Sequence, residues 1–119
     1  MTGAAKRRGD AAEREAADLL HDLLGVPARR KLGAGRQDDE GDIDGVPDTC
    51  VQVANWKDLA AAVAKKPGEC EVQQERMGAS FGASFLRIRG GRWVVALTPT
   101  QFAALWREAT APFPVEGEK

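Results

Sequence analysis

The most restrictive feature of this sequence is the order in which helix-like and strand-like patterns follow one another. Residues 10–24 place apolar side chains at three- and four-residue steps, which is typical of an amphipathic helix, and Gly25 and Pro27 end it. Alternating runs typical of strands come next, with further helical patterns between them. Helices on both sides of a mixed sheet form an α/β sandwich, which is the predicted fold class. The predicted elements, in the order α-β-β-β-α-α-β-β-α, span residues 10–24, 28–32, 41–45, 49–54, 58–65, 69–79, 83–89, 92–97 and 99–109.

Turn and stop signals set several of these boundaries. Pro67 and Gly68 are expected to divide the helical region into two helices. Gly90-Gly91 predicts a tight hairpin turn between two strands. Residues 98–101, Thr-Pro-Thr-Gln, have capping-box spacing with proline at the first helical position, so a last helix should begin there. This helix is expected to bury Phe102, Leu105, Trp106 and Ala109.

Length predicts one domain, because 119 residues can build one hydrophobic core but not two. We expect the domain to span residues 1–110 and a flexible tail to span 111–119. No apolar run approaches the ~18 residues of a membrane span, and the charged start lacks the apolar segment of a secretory signal. Two cysteines and one histidine predict neither a disulfide framework nor a zinc site. The expected location is therefore the reducing cytoplasm.

The net charge of −1 conceals an uneven distribution. Residues 37–48 carry six acids and no base, so the remaining chain holds 17 bases and 12 acids. An acidic cluster within a mildly basic body is expected of a metal site that acts on a polyanion. A solvated acidic loop is the alternative interpretation.

Two patterns indicate which side chains face the interior. In the strand at 49–54, Cys50, Gln52 and Ala54 should share one face, because side chains alternate along a strand. In the first helix, Glu13 belongs to a row of apolar residues and should border the buried face. Glu15 belongs to an acidic row and is expected on the solvated face.

Residues 41–58 combine acids on a hairpin with a strand and a following lysine. Phosphodiester hydrolysis needs carboxylates that hold one or two Mg²⁺ ions, which polarise the phosphate and activate water. A lysine commonly stabilises charge or positions the water. Asp42 and Asp44 are both candidate metal ligands, and both could equally be turn residues. An ordinary turn followed by a buried strand remains the alternative.

The motif Gly-Asp-Ile-Asp-Gly at 41–45, followed by a hydrophobic strand, resembles the PD-(D/E)XK nuclease superfamily. Within it, the chain is most similar to the small Holliday junction resolvase type, including versions common in phages. The basic–glycine–acid signature of that family's first helix is matched by residues 6–9 and Glu13. The resemblance implies a restriction-endonuclease-like fold over about residues 5–100, with Asp42 as the metal aspartate and Glu13 as a further site residue.

The Glu-x-Lys motif of that family is altered here to Gln52-Val53-Ala54. Glutamine can offer a carbonyl oxygen to Mg²⁺ but brings no charge, and alanine can do nothing chemical. Lys57 lies three residues further on and is the candidate to assist the attacking water, because its side chain is long and flexible. Lys65 or Lys66 on the following helix are alternatives for this role.

Two hypotheses follow from the altered motif. The first is a Mg²⁺- or Mn²⁺-dependent, structure-selective DNA endonuclease that cuts branched DNA such as Holliday junctions. Its predicted ligands are Asp42, Gln52 and Glu13, and Lys57 completes the catalytic set. The second is a catalytically inactive relative that binds DNA or a partner protein. For the enzyme we expect a homodimer, since paired cuts need two-fold symmetry, and a bacterial host cell with a possible phage origin.

Basic residues suggest where DNA would be held. The predicted DNA-binding residues are Lys6, Arg7, Arg8, Arg29, Arg30, Lys65 and Lys66. Arg87, Arg89 and Arg92 form another basic group near the hairpin turn. Trp56 could stack on a base, whereas Trp93 and Trp106 are expected to pack in the core.

Overall fold

The computed structural model describes residues 3–31 and 42–112. Among these residues no helix is both long and apolar enough to cross a membrane. The predicted loop at 33–40, Leu32, Gly41 and most of the predicted tail (113–119) lie outside the described residues. The elements are α1 (Gly3–Leu24), β1 (Arg29–Arg30), β2 (Ile43–Asp44), β3 (Thr49–Ala54), α2 (Leu59–Met77), β4 (Phe81–Ile88), a 3₁₀ turn (Arg89–Gly91), β5 (Arg92–Ala96) and α3 (Pro99–Thr110).

The described strands form one five-stranded mixed sheet in the order β1-β2-β3-β4-β5. β3 and β4 are parallel, and every other neighbouring pair is antiparallel. Parallel neighbours need a crossover connection, and α2 provides it. The predicted α/β class, a mixed sheet flanked by helices, is confirmed.

One side of the sheet is covered by α1. Ala12, Ala16, Ala17 and Leu20 form a buried stripe against Ile43, Val51 and Val53. Small alanine side chains allow the helix to lie close to the strands. α1 begins at Gly3 rather than at residue 10, so the basic residues 6–8 are part of the helix and do not precede it. The apolar side chains that recur along residues 10–24 are not all buried, since Leu23 and Leu24 in the last turn of α1 are exposed.

The other side of the sheet is covered by α2, which is one helix and not two. The predicted break at Pro67-Gly68 is wrong, because Pro67 lies inside the helix and is buried. An interior proline costs about 3 kcal/mol, and burial of Ala62 and Cys70 against the sheet offsets this loss. Asp58 caps the helix by accepting a hydrogen bond from the Ala61 backbone N–H at 3.0 Å.

The C-terminal elements confirm some local predictions and contradict one packing prediction. β4 and β5 form the expected hairpin around the two glycines. The capping box of α3 is present between Thr98 and Gln101. However, Gln101 is the buried residue of α3, while Phe102, Leu105 and Trp106 are exposed. Gln101 Nε2 donates to Gln74 Oε1 on α2, so the residue of α3 that enters the protein interior is polar, and the apolar side chains at 102, 105 and 106 keep a large exposed fraction.

Candidate nucleic-acid interface

A cleft opens at the edge of the sheet where β3 ends. Because β3 and β4 are parallel, their carboxyl ends meet at this edge, the common location of ligand sites in open α/β sheets. The cleft has a volume of about 590 Å³. Its walls come from the first turns of α1 and from the segment that leaves β3: Lys6, Arg8, Gly9, Asp10, Glu13 and residues 53–57.

A second cleft of about 550 Å³ continues the first toward the end of β4. The two clefts share Asn55, Trp56 and Lys57. The second adds Leu59 and residues 87–89. We refer to the two clefts together as the strand-end groove. The Asp58 cap fixes the short turn that carries the shared residues between β3 and α2.

The carboxylates of the groove are already neutralised. Arg30 bonds Asp10 at 2.9 Å and Glu13 at 3.3 Å, and Lys6 bonds Asp10 at 3.1 Å. The hydrogen bond from Lys6, opposed in part by desolvation and reinforced by Arg30, holds the pKa of Asp10 below its ordinary value. Glu13 is almost fully buried, which confirms its predicted place at the border of the core. Among the residues that the structure describes, the basic side chains of the groove therefore outnumber the acids.

Three cations of the groove keep their charge available. Within residues 3–31 and 42–112, Arg8, Lys57 and Arg89 form no ion pair. They belong to α1, to the turn after β3 and to the 3₁₀ turn after β4. Side chains from three separate elements thus surround one groove, a suitable arrangement for binding several phosphates.

Asp42 lies immediately beside the strand that carries Gln52. Its Oδ2 accepts a hydrogen bond from the Val53 backbone N–H at 2.8 Å. Ile43 pairs with Val51, so Asp42 and Gln52 are neighbours across the two strands. The pKa of the Cys50 thiol is raised, first by its hydrogen bond with Cys70 and by burial, and further by the negative charge of Asp42. Ile43 packs on the α1 side of the sheet, so the alternation of side chains places Asp42 on the side of β3 that faces α2.

Gln52 is buried on that same side, with 2% of its surface exposed. Its Nε2 donates to Oε1 of Gln73 on α2. Its own Oε1 has no hydrogen-bond partner in the described structure, and the same is true of the Ser84 hydroxyl nearby on β4. Cys50, Gln52 and Ala54 share the α2-facing side, as predicted, whereas Val51 and Val53 face α1.

The structure brings only some of the predicted site residues together. Asp42 and Gln52 are adjacent, but Glu13 belongs to α1 on the opposite side of β3. Lys57 lies in the groove, whose lining includes Glu13 but neither Asp42 nor Gln52. Within the described ranges, no group of three or more His, Cys, Asp or Glu residues could hold a metal ion. One carboxylate and one amide oxygen suit a Mg²⁺ ion that keeps most of its water ligands.

Only some of the predicted DNA-binding residues lie at the strand-end groove. Lys6 and Arg8 line the groove, Arg30 pairs with its acids, and Lys66 lies over Trp56. Arg7, Arg29 and Lys65 are exposed but do not line it.

Three side chains took positions that the sequence did not predict. Arg89 lines the same cleft as Trp56 because β3 and β4 are parallel; the helical region predicted between the two strands permits this pairing but does not specify it. Gln73 was missed as the partner of Gln52. Glu15, expected on the solvated face, instead accepts hydrogen bonds from Arg87 and Trp93.

Comparisons of the chain with protein-family models, with known proteins and with solved structures found no match. The likeness to the PD-(D/E)XK superfamily therefore stands on the motif residues and the order of elements alone.

Proposed function

We propose that this chain is a DNA-binding domain of the PD-(D/E)XK type, similar to the Holliday junction resolvases, which binds branched DNA in the strand-end groove. The observation that carries the proposal is a set of three cations, Arg8, Lys57 and Arg89, which lie around the carboxyl ends of β3 and β4 and form no ion pair within the described residues. Basic side chains from several elements can contact several phosphates spaced along a nucleic-acid backbone. A single small anion would contact only some of these side chains.

The shape of the groove supports a polymer as the ligand. Two clefts of about 590 and 550 Å³ adjoin through residues 55–57. Phosphate contacts release counterions, so binding through these side chains should weaken steeply as salt rises.

The test is fluorescence anisotropy with a labelled four-way junction across a range of salt concentrations. Lys57→Ala and Arg89→Ala should each weaken binding and reduce the slope of log affinity against log salt by about 1. The matched control is Arg107→Ala, because Arg107 is exposed on α3 outside the groove. A triple variant at residues 8, 57 and 89 that binds as tightly as the wild type would contradict the proposal.

A second candidate function is metal-dependent cleavage of the bound DNA. The specific observation in its favour is the unpartnered Oε1 of Gln52 next to the Asp42 carboxylate. These two oxygens would hold Mg²⁺ or Mn²⁺, which when bound would polarise the scissile phosphate. Lys57 would approach from the groove and stabilise charge on the phosphate. Glu13 joins this set only if its ion pair with Arg30 breaks.

Incubation of the labelled junction with Mg²⁺ or Mn²⁺ tests this second function. Paired symmetric nicks that disappear in Asp42→Asn would support cleavage and also the expected homodimer. Asp44→Asn is the matched control, because Asp44 lies two residues further along the chain, in β2, and is paired with Lys31 at 3.9 Å. Tight binding without any nick would leave DNA binding as the only function of the two.

A further inference from the structure

Trp56 occupies the centre of the strand-end groove. It lies in the turn between β3 and α2 and lines both clefts. Its side chain is 40% exposed, although an indole ring is among the largest apolar surfaces a protein can bury. The ring is therefore open to the groove beside Lys57 and Arg89, which form no ion pair with any residue that the structure describes.

The Trp56 indole ring forms a cation–π contact with Lys66. The Nζ atom of Lys66 lies over the ring at 5.9 Å from its centroid. Lys66 has only 14% of its side chain exposed and pairs with Glu69 at 3.6 Å. A cation at this distance interacts favourably with an indole ring. The ring is thus supported within the protein, while its exposed part is accessible from the groove.

The other two tryptophans differ in their surroundings. Trp93 packs against the α1 core, and its Nε1 donates to Glu15 at 2.6 Å, so its position is fixed inside the protein. Trp106 is exposed on α3, outside the strand-end groove. Trp56 alone among the three combines an accessible ring with the unpaired Lys57 and Arg89 beside it.

We propose that Trp56 is a stacking platform for one unpaired nucleobase, and that Lys57 and Arg89 hold the phosphates next to that base. This inference rests on the proposed DNA binding and names its substrate class as DNA with unpaired or unstacked bases. In a continuous duplex every base is already stacked on its neighbours, so none is available to the indole. Stacking of a base on an aromatic side chain improves affinity by about tenfold and tolerates any base.

The experiment compares a labelled duplex with the same duplex that carries a central run of unpaired thymidines. The wild type should bind the gapped DNA about tenfold more tightly than the duplex. Trp56→Ala should remove this preference while duplex affinity changes less than about twofold, and Trp56→Phe should retain most of it because a phenyl ring can still stack. Trp106→Ala is the matched control and should bind both DNAs as the wild type does.

Tryptophan fluorescence provides a second readout that does not depend on the stability of the alanine variant. Gapped DNA should quench the wild-type emission, and the quenching should be lost in Trp56→Phe. The inference is overturned if Trp56→Ala weakens binding of both DNAs equally, or if the wild type binds the duplex and the gapped DNA with the same affinity. Failure of the wild type to bind any DNA would instead overturn the proposed function, and the inference with it.

Discussion

The side of β3 that faces α1 is apolar, whereas the side that faces α2 combines the apolar cluster of Ala54, Ala62 and Leu86 with buried polar groups. Val51 and Val53 pack against the alanines of α1. Between these two valines in the sequence, Gln52 faces α2, and it and its neighbours bury amide, hydroxyl and thiol groups. A buried polar atom without a partner costs about 1 to 3 kcal/mol, and the two such atoms on this side are Gln52 Oε1 and Ser84 Oγ. A side that served stability alone would not need these groups, so the contrast suggests that α1 stabilises the sheet and the α2 side retains the composition of a site.

The largest effect is expected on the apolar side. Ile43 is 2% exposed and belongs to the cluster with Val51. Ile43→Ala should lower the free energy of unfolding by about 3 kcal/mol, because it removes buried methyl groups and leaves a cavity. Urea denaturation measures this value, and Val63→Ala on the exposed surface of α2 is the control. A loss below about 1 kcal/mol would mean that the α1 side is not the main source of stability.

A charge introduced on the polar side should reveal whether Asp42 and position 52 can share a cation. Gln52→Glu should lower the free energy of unfolding by about 2 kcal/mol in the absence of metal, since a buried carboxylate beside Asp42 is repelled and desolvated. Mg²⁺ should restore most of this loss. Thermal unfolding with and without Mg²⁺ is the measurement.

Gln101→Glu is the matched control for that experiment, because Gln101 is equally buried on the α2 side and bonds to Gln74 instead. It should lose stability without recovery in Mg²⁺. Equal behaviour of the two variants would remove the support for a shared ligand position at Asp42 and residue 52.

A smaller effect of opposite sign is expected when the polar group at position 52 is removed. Gln52→Leu should raise the free energy of unfolding by about 1 kcal/mol, because it removes the unpartnered Oε1 and keeps the side-chain volume. Gln73, which is only partly buried, can then bond to water. Denaturant unfolding checks the sign, and a loss comparable to that of Ile43→Ala would show that Gln52 serves the core.

The smallest effect concerns the hydrogen bonds that Glu15 accepts from Arg87 and Trp93 at the margin of the α1 side. The hydrogen bond from Arg87 lowers the pKa of Glu15 from 4.5, and the hydrogen bond from Trp93 lowers it further. Desolvation opposes this shift in part. The carboxylate therefore stabilises the fold above pH 4.5, and this contribution is lost as the pH falls through the lowered pKa. Glu15 is partly exposed, so the contribution is about 1 kcal/mol or less.

Glu15→Gln should reduce the free energy of unfolding near neutral pH and flatten its decline below pH 4.5. Asp18→Asn on the exposed face of α1 is the control. An unchanged acid profile in Glu15→Gln would show that the contact with Arg87 is not formed in solution.

Local signals predicted the parts of this fold that depend on local physics. The alternation along β3, the buried row of Glu13 and the capping box at Thr98 all follow from backbone geometry. The break at Pro67 failed because packing against the sheet outweighed the cost of an interior proline. The prediction that α3 buries its apolar stripe was wrong for another reason. Periodicity shows which side chains share a face of the helix, but not whether another element covers that face.

The site was less predictable, because it depends on pairings between distant parts of the chain. Asp42 and Gln52 were expected to lie close together, since a hairpin joins their strands. The bond from Arg87 to Glu15 joins residues 72 positions apart, and no local pattern indicates it. Arg89 comes next to Trp56 only because β3 and β4 are parallel, a relation that the sequence order alone does not specify.

The most direct test of the account is amide chemical-shift mapping by NMR during titration with a four-way junction. If DNA binds in the strand-end groove, the largest changes will occur in the first turns of α1, at residues 55–57 and at Arg89. Changes concentrated around Phe102 and Trp106 on α3, or none at all, would contradict DNA binding in the strand-end groove.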